Sequence, residues 1–179
     1  MRVFIAIELL EEAKAEIERI QKDLKKQNLF EGKMTEKENL HLTLKFLGEI
    51  DDSRTEEVKK RLRKIKFPEF KAALGEAGVF SEDFVRIVWI KLDGNVTGLQ
   101  KEVDNALKEL FKPEFRFMSH LTIARVKNVK DKKRLLDYLS SAKISKIEFP
   151  VSGFALKSSE LTEKGPIYAD LERFELQEV

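Results

Sequence analysis

Apolar residues alternate with polar ones from the start of the chain. Val3, Ile5, Ile7 and Leu9 fall on one side of residues 2–9, the two-residue period of a strand. The period then lengthens: over residues 11–27, Ala13, Ile17, Ile20 and Leu24 recur at spacings of three and four, which predicts an amphipathic helix. A polar loop through Gly32 leads to a second strand at about 38–47, closed by Gly48. Ser53 with Glu56 three residues on has the form of a capping box, and Val58, Leu62 and Ile65 mark one face of a helix that stops before Pro68. Residues 69–80 are β-like, with a bulge or bend expected at Gly75 or Gly78.

The order then starts again. Residues 84–92, rich in Val, Ile and Trp89, predict a strand, and Asp93-Gly94 a turn. Thr97 and Gln100 form a second capping box, at the head of a helix carrying Leu99, Val103, Ala106, Leu107 and Leu110. Beyond Pro113 come a strand at about 115–126, a helix at about 131–142, a strand at about 145–157, a loop near 158–165 and a last strand over 167–176. Strand, helix, strand, helix, strand thus appears over about 3–80 and again over about 84–157. The expectation is one bilobal α+β domain over 1–179: two pseudo-twofold-related lobes, antiparallel sheets facing a central cleft, and helices outside.

The chain has two histidines, 79 residues apart, and both open the same motif: His41-Leu42-Thr43-Leu44 and His120-Leu121-Thr122-Ile123. On a strand, His and Thr two places apart share one face while the aliphatic residues share the other. Each motif therefore presents an imidazole beside a hydroxyl and turns its aliphatic side to a core. A lone strand histidine is ordinarily structural, but repetition at equivalent places in a duplication points to function.

Composition narrows the chemistry. With no cysteine there is no disulfide framework, thiol nucleophile or thiolate metal site, and two histidines flanked by threonine rather than carboxylate argue against a bound metal. No apolar run approaches the length of a membrane span, and Glu8, Glu11 and Glu12 interrupt the N-terminal apolar stretch before a signal-peptide core forms, so a cytoplasmic protein is expected. Charged residues make up 37% of the chain for a net charge of only +2, the ion-pair-rich style of thermophile proteins. The basic runs at Lys59-Lys60-Arg61, Arg63-Lys64 and Lys130 to Arg134 read as solvated helix faces balanced by acids. Near-zero net charge disfavours an extended nucleic-acid surface and fits a short RNA end entering a cleft.

Two facing imidazoles, with ordinary pKa values near 6.5, suit a reaction that removes a proton on one side of a centre and delivers one on the other. Two threonine hydroxyls fit the spare oxygens of a tetrahedral phosphate better than a planar carbonyl. The residues thus point to metal-free phosphoester chemistry.

The pair HLTLKFLGE and HLTIAR resembles the 2H phosphoesterase superfamily, specifically its RNA 2′,3′-cyclic phosphodiesterase branch, also called 2′-5′ RNA ligases. The likeness runs from the opening RVFIAIEL to the closing GPIYADLERFEL. It implies hydrolysis of a terminal 2′,3′-cyclic phosphate to a 2′-phosphate, with 2′-5′ ligation as the reversed reaction and no cofactor. By the same resemblance His41 is the proton donor to the departing 3′ oxygen, His120 the proton acceptor from water, and Thr43 and Thr122 hold the phosphate oxygens. The implied partners are RNA ends or short oligonucleotides carrying 2′,3′-cyclic phosphate, tRNA fragments among the candidates; a monomer is the default expectation.

Arg125 matches the arginine that commonly ends the second motif in that family. Strict alternation from His120 puts it on the opposite face, so it reaches the cleft only if the strand ends or bulges there. By the same alternation Lys45 shares the face of His41, and Phe46 is expected in the core. A non-enzymatic RNA-binding module is the alternative reading, and a nucleotide-dependent RNA ligase a third, although no phosphate-cradling P-loop glycine run is present.

Overall fold

The structure, a computed structural model, describes residues 1–178. β1 (Arg2–Glu8) is buried from Val3 to Ile7 on both faces, as befits a strand with neighbours on each side. α1 (Glu11–Gln27) turns Ala13, Ile17, Ile20 and Leu24 inward, with acids in its first turn and lysines in its last, as the helix dipole favours. Asn28 ends it in the left-handed conformation, its N–H returning to the Lys25 carbonyl. There follow β2 (Phe30–Met34), a 3₁₀ turn (Lys37–Asn39), β3 (His41–Glu49), α2 (Asp52–Leu62), β4 (Phe70–Val79) and β5 (Ile87–Asp93). The remainder comprises α3 (Val96–Leu107), β6 (His120–Val129), α4 (Lys132–Ser141), β7 (Glu148–Val151), β8 (Gly153–Thr162) and β9 (Gly165–Glu175).

Two antiparallel sheets result, in the orders β3-β1-β8-β9 and β2-β6-β5-β4-β7. Each motif strand lies beside the first strand of its own half, β3 on β1 and β6 on β5. The third strands are exchanged: β4 completes the sheet of β5, and β8 completes that of β1. Neither sheet is therefore built from one half of the sequence alone. Helices are exchanged in the same sense, since α1 packs on β6 and α3 on β3, and the two motif strands also touch each other.

Several elements depart from the expectation. Residues 30–34 form β2 at a sheet edge rather than a loop, because Gly32 has no side chain to meet the Arg125 carbonyl on the adjoining strand. The single strand expected over 145–157 is two, β7 and β8, which join different sheets across Ser152. The loop expected near 158–165 is mostly β8, which runs to Thr162 and turns tightly into β9, with Gly165 at φ 116°. The motif strands begin at the histidines themselves, with residues 38–40 and 115–119 lying before them outside regular strands. Nor do the capping boxes form: Asp51 caps α2, accepting from the Arg54 N–H at 2.7 Å, and Asn95 precedes α3 without a side-chain cap.

Candidate active site

Leu42 and Leu44 on β3, and Leu121 and Ile123 on β6, are buried, which turns both His-Thr pairs to the other faces of their strands. Residues opposite one another in an antiparallel pair share a face. His41 lies opposite Glu8 on β1, and His120 opposite Lys91 on β5.

Both strands then bulge at the same step. In β6, Thr122 faces Trp89 and Ala124 faces Val88, so Ile123 is the extra residue; in β3, Thr43 faces Ala6 and Lys45 faces Ile5, so Leu44 is extra. A bulge reverses the alternation beyond it. Arg125 accordingly returns to the face of His120 and Thr122, where it is exposed and near enough to His41 to lower its pKa.

The same bulge overturns two expectations in β3. Phe46 is not in the core but 75% exposed, on the His41 face, its ring 6.3 Å from that of Phe4. Lys45, expected beside His41, is buried on the other side, where its Nζ donates to Asp104 of α3 at 2.5 Å and to the Lys112 carbonyl at 2.7 Å. The bulge in β6 is held comparably, the Ile123 carbonyl accepting from the Gln21 amide of α1 and the Thr35 N–H, both at 2.9 Å. Each kink is thus fastened by the other half of the chain.

The two imidazoles have different settings. His41 Nδ1 lies 2.7 Å from the Asn39 carbonyl; a carbonyl only accepts, so Nδ1 carries a proton and Nε2 is the nitrogen 2.9 Å from the Thr43 hydroxyl. Phe4 and Tyr168 wall the ring, at centroid distances of 5.1 and 5.2 Å. Burial pulls the His41 pKa below its ordinary value; the Asn39 carbonyl opposes that, Lys157 and Arg125 add to it, and Glu8 opposes it. Lys157 is itself held by Glu8 at 2.6 Å and Asp170 at 2.9 Å.

His120 is stacked on Trp89, with centroids 3.7 Å apart and planes 15° from parallel, and Phe80 stands 5.6 Å away. Its Nδ1 is buried without a partner among the described residues. Burial lowers its pKa too, helped by Lys91 and opposed by Glu76. Both rings thus have a carboxylate and a cation or cations near them, Glu8 with Lys157 and Arg125 at His41 and Glu76 with Lys91 at His120; what distinguishes them is Nδ1, held by the Asn39 carbonyl in His41 and without a partner among the described residues in His120.

Around the rings stand Thr43, Thr122 and Arg125, for which no carboxylate partner occurs among the described residues. Among those residues no three His, Cys, Asp or Glu side chains gather as a metal site requires, and no helix is long and apolar enough to cross a membrane. Within the basic helix runs Lys59 pairs with Glu56, Arg61 with Glu57 and Glu109, Arg63 with Glu172, and Lys133 with Asp137. Sequence reasoning missed Asn39, Tyr168, Lys157, Lys91, Trp89 and Phe80 around the rings. Only Lys91 and Trp89 carried a usable signal, the two-residue spacing on a strand next to a motif.

The sequence model of the LigT like Phosphoesterase family matches residues 7–89 and 91–168. An RNA 2′,3′-cyclic phosphodiesterase of Methanocaldococcus jannaschii is 37% identical over 172 residues, spanning 94% of this chain and 96% of its own length. One from Archaeoglobus fulgidus is 36% identical over 180 residues, spanning 98% of this chain and 100% of its own. Both come from thermophiles, in keeping with the charge-rich composition. The crystal structure of a Thermus thermophilus protein, TT0787, superimposes with a TM-score of 0.81 at 28% identity, covering 98% of this chain and 97% of that one.

Proposed function

The chain belongs to the LigT like phosphoesterase family, and from that premise we propose that it hydrolyses a terminal RNA 2′,3′-cyclic phosphate to a 2′-phosphate, with His41 as acid and His120 as base. Relatives spanning nearly the whole chain carry the name RNA 2′,3′-cyclic phosphodiesterase, which supports the substrate. The observation that carries the division of labour is the contrast between the rings. The Asn39 carbonyl behind His41 holds Nδ1–H and stabilises the imidazolium that an acid must be, while the His120 Nδ1 has no such acceptor among the described residues, which suits that ring to the part of the base.

In this reading water enters beside His120 and attacks phosphorus in line with the 3′ oxygen. Its proton passes to His120; the bond from phosphorus to O3′ breaks, and O3′ takes the proton from His41. The hydroxyls of Thr43 and Thr122 and the Arg125 guanidinium meet the charge that grows on the two remaining oxygens. Proton exchange with solvent restores the pair. Phe46 and Tyr168, on the His41 side, flank the nucleoside that carries the cyclic phosphate and keeps it through O2′. One chain supplies every residue of this site, which fits action as a monomer, on RNA ends with tRNA fragments among them.

The test is replacement of each histidine by alanine, with hydrolysis of a cyclic-phosphate-ended oligonucleotide and RNA affinity both measured. Each variant should lose about 10²–10⁴-fold in turnover and keep most of its affinity. Retained turnover in either variant would overturn the proposal.

A further inference from the structure

His41 meets β9 in two ways. The Tyr168 ring stands edge to face with its imidazole, the planes 84° apart. The second contact runs through Asn39, whose carbonyl accepts from His41 Nδ1 and whose side-chain Nδ2 donates to the Pro166 carbonyl of β9 at 3.1 Å. β9 is the outermost strand of its sheet, so its outward carbonyls have no neighbouring strand to accept from. Both sides of this tie are themselves anchored. Lys33 of β2 donates to the Lys164 carbonyl at 2.8 Å, and a Cβ on Gly165 would stand 2.9 Å from that ammonium. Lys37, at the start of the 3₁₀ turn, pairs with Glu11 of α1 at 3.0 Å, and Leu40 is buried just beyond the turn. His120 has no counterpart to this arrangement. Two places before it stands Met118, whose carbonyl accepts the backbone N–H of His120 at 2.8 Å, and the ring's Nδ1 is without a partner among the described residues.

We infer that Asn39 is a positioning residue for the acid: its amide, docked on β9, sets the direction of its own carbonyl and so holds His41 with a proton on Nδ1 and with Nε2 toward the leaving oxygen. The inference deepens the proposed function and rests on His41 being the acid in it. A neutral imidazole carries its one proton on either nitrogen, and the partner of one nitrogen decides the state of the other. When Nε2 gives its proton to O3′, a fixed acceptor at Nδ1 keeps the second proton where it is, so Nε2 is the nitrogen that takes up a proton again. A carbonyl on an untied turn would swing with that turn; this one is pinned to the strand that also walls the ring. The end of the β8–β9 hairpin, 127 residues further along the chain, thereby becomes part of the acid's setting.

The experiment compares the full chain with its Asn39→Ala and Asn39→Gln variants. Imidazole nitrogen NMR, assigned with His120→Ala, reads the tautomer of neutral His41, and hydrolysis of a cyclic-phosphate-ended oligonucleotide is followed against pH. Wild-type His41 should be the Nδ1–H tautomer. In Asn39→Ala it should become a mixture, and kcat should fall about 10–100-fold, the scale of losing the support behind a functional histidine, with KM little changed. The carbonyl raises the His41 pKa, so the alkaline limb of kcat/KM, which the acid sets, should move to lower pH while the acid limb stays. Glu8 of β1, Lys157 of β8 and Arg125 of β6, the charged groups that act on His41, are untouched by the substitution. Asn39→Gln, which keeps the amide, should recover the tautomer and most of the rate. A pure Nδ1–H tautomer in Asn39→Ala, an alkaline limb that does not move, or a loss that Asn39→Gln shares in full would overturn the inference, as would a lowered Tm with tautomer and limbs unchanged. A wild-type protein without turnover would overturn the proposed function instead, and the tie would then stand or fall on the tautomer.

Discussion

Lys45 offers the most quantitative check on how the site is held. Its ammonium and the Asp104 carboxylate, 7% and 8% exposed, join the bulge in β3 to α3. Asp104 also accepts from the Gln100 amide at 2.8 Å and the Glu114 N–H at 2.7 Å. Lys45→Met keeps the bulk of the stem but leaves a buried carboxylate with those two donors and no counter-charge. Breaking a buried pair from one side costs about 3–5 kcal/mol, and the two surviving hydrogen bonds place this case at about 3 kcal/mol. For a chain of this size that is a fall in Tm of about 6–12 °C.

Lys45→Met combined with Asp104→Leu should recover most of the loss, since no charge is then stranded. The pH dependence has a definite sign. Burial pushes the Asp104 carboxyl up, but hydrogen bonds from Lys45, Glu114 and Gln100 outweigh it and hold the pKa below the usual carboxylate range. The resulting stability is fully present above the unfolded-state pKa of about 3.9 and is lost as pH falls through the lower folded value. Urea unfolding at pH 7 and in acid therefore supplies the assay: the gap between wild type and Lys45→Met should be wide at pH 7 and narrow in acid. A loss below about 1 kcal/mol at pH 7, or a double variant no more stable than the single one, would refute the reasoning.

Three further outcomes follow from the same geometry. Both imidazole pKa values are lowered, chiefly by burial, so the bell of kcat/KM against pH should centre on the acid side of about 6.5; an optimum in the alkaline range would contradict that. Arg125→Ala should lower kcat about 10²–10³-fold, the scale of losing one preorganised donor to a charged transition state; circular dichroism should find the exposed site's fold intact, and a loss confined to KM would count against a role at the transition state. Gly78→Ala drives a methyl group into the Trp89 ring and should cost about 1–3 kcal/mol of stability; it should also lower kcat by tilting the His120 stack, which an unchanged Trp fluorescence spectrum and rate would disprove.

Much of this was legible in the sequence because periodicity reports burial directly. The apolar positions of α1 fixed its span to the residue, and the two His-Thr pairs declared their shared face through alternation alone. Alternation failed where one extra residue enters a strand, which is why Lys45 and Phe46 exchange their expected places while Arg125 joins the face of His120. Leu44 and Ile123 carry no local mark of a bulge, and the groups that fasten it, Asp104 and Gln21, are remote in sequence. The exchange of β4 and β8 between sheets is equally silent, because each reads as the strand that ends its own half. Asn39 and Tyr168 meet His41 through a turn and a distant strand, and no spacing rule announces either.

The central claim is that two unlike imidazoles act on opposite sides of one phosphorus atom, and the isomer produced tests it most directly. An oligonucleotide ending in 2′,3′-cyclic phosphate, incubated with the full chain in the presence of a chelator, should yield the 2′-phosphate from wild type, with turnover collapsing when either His41 or His120 is alanine. A 3′-phosphate product, or full turnover with one histidine gone, would contradict it.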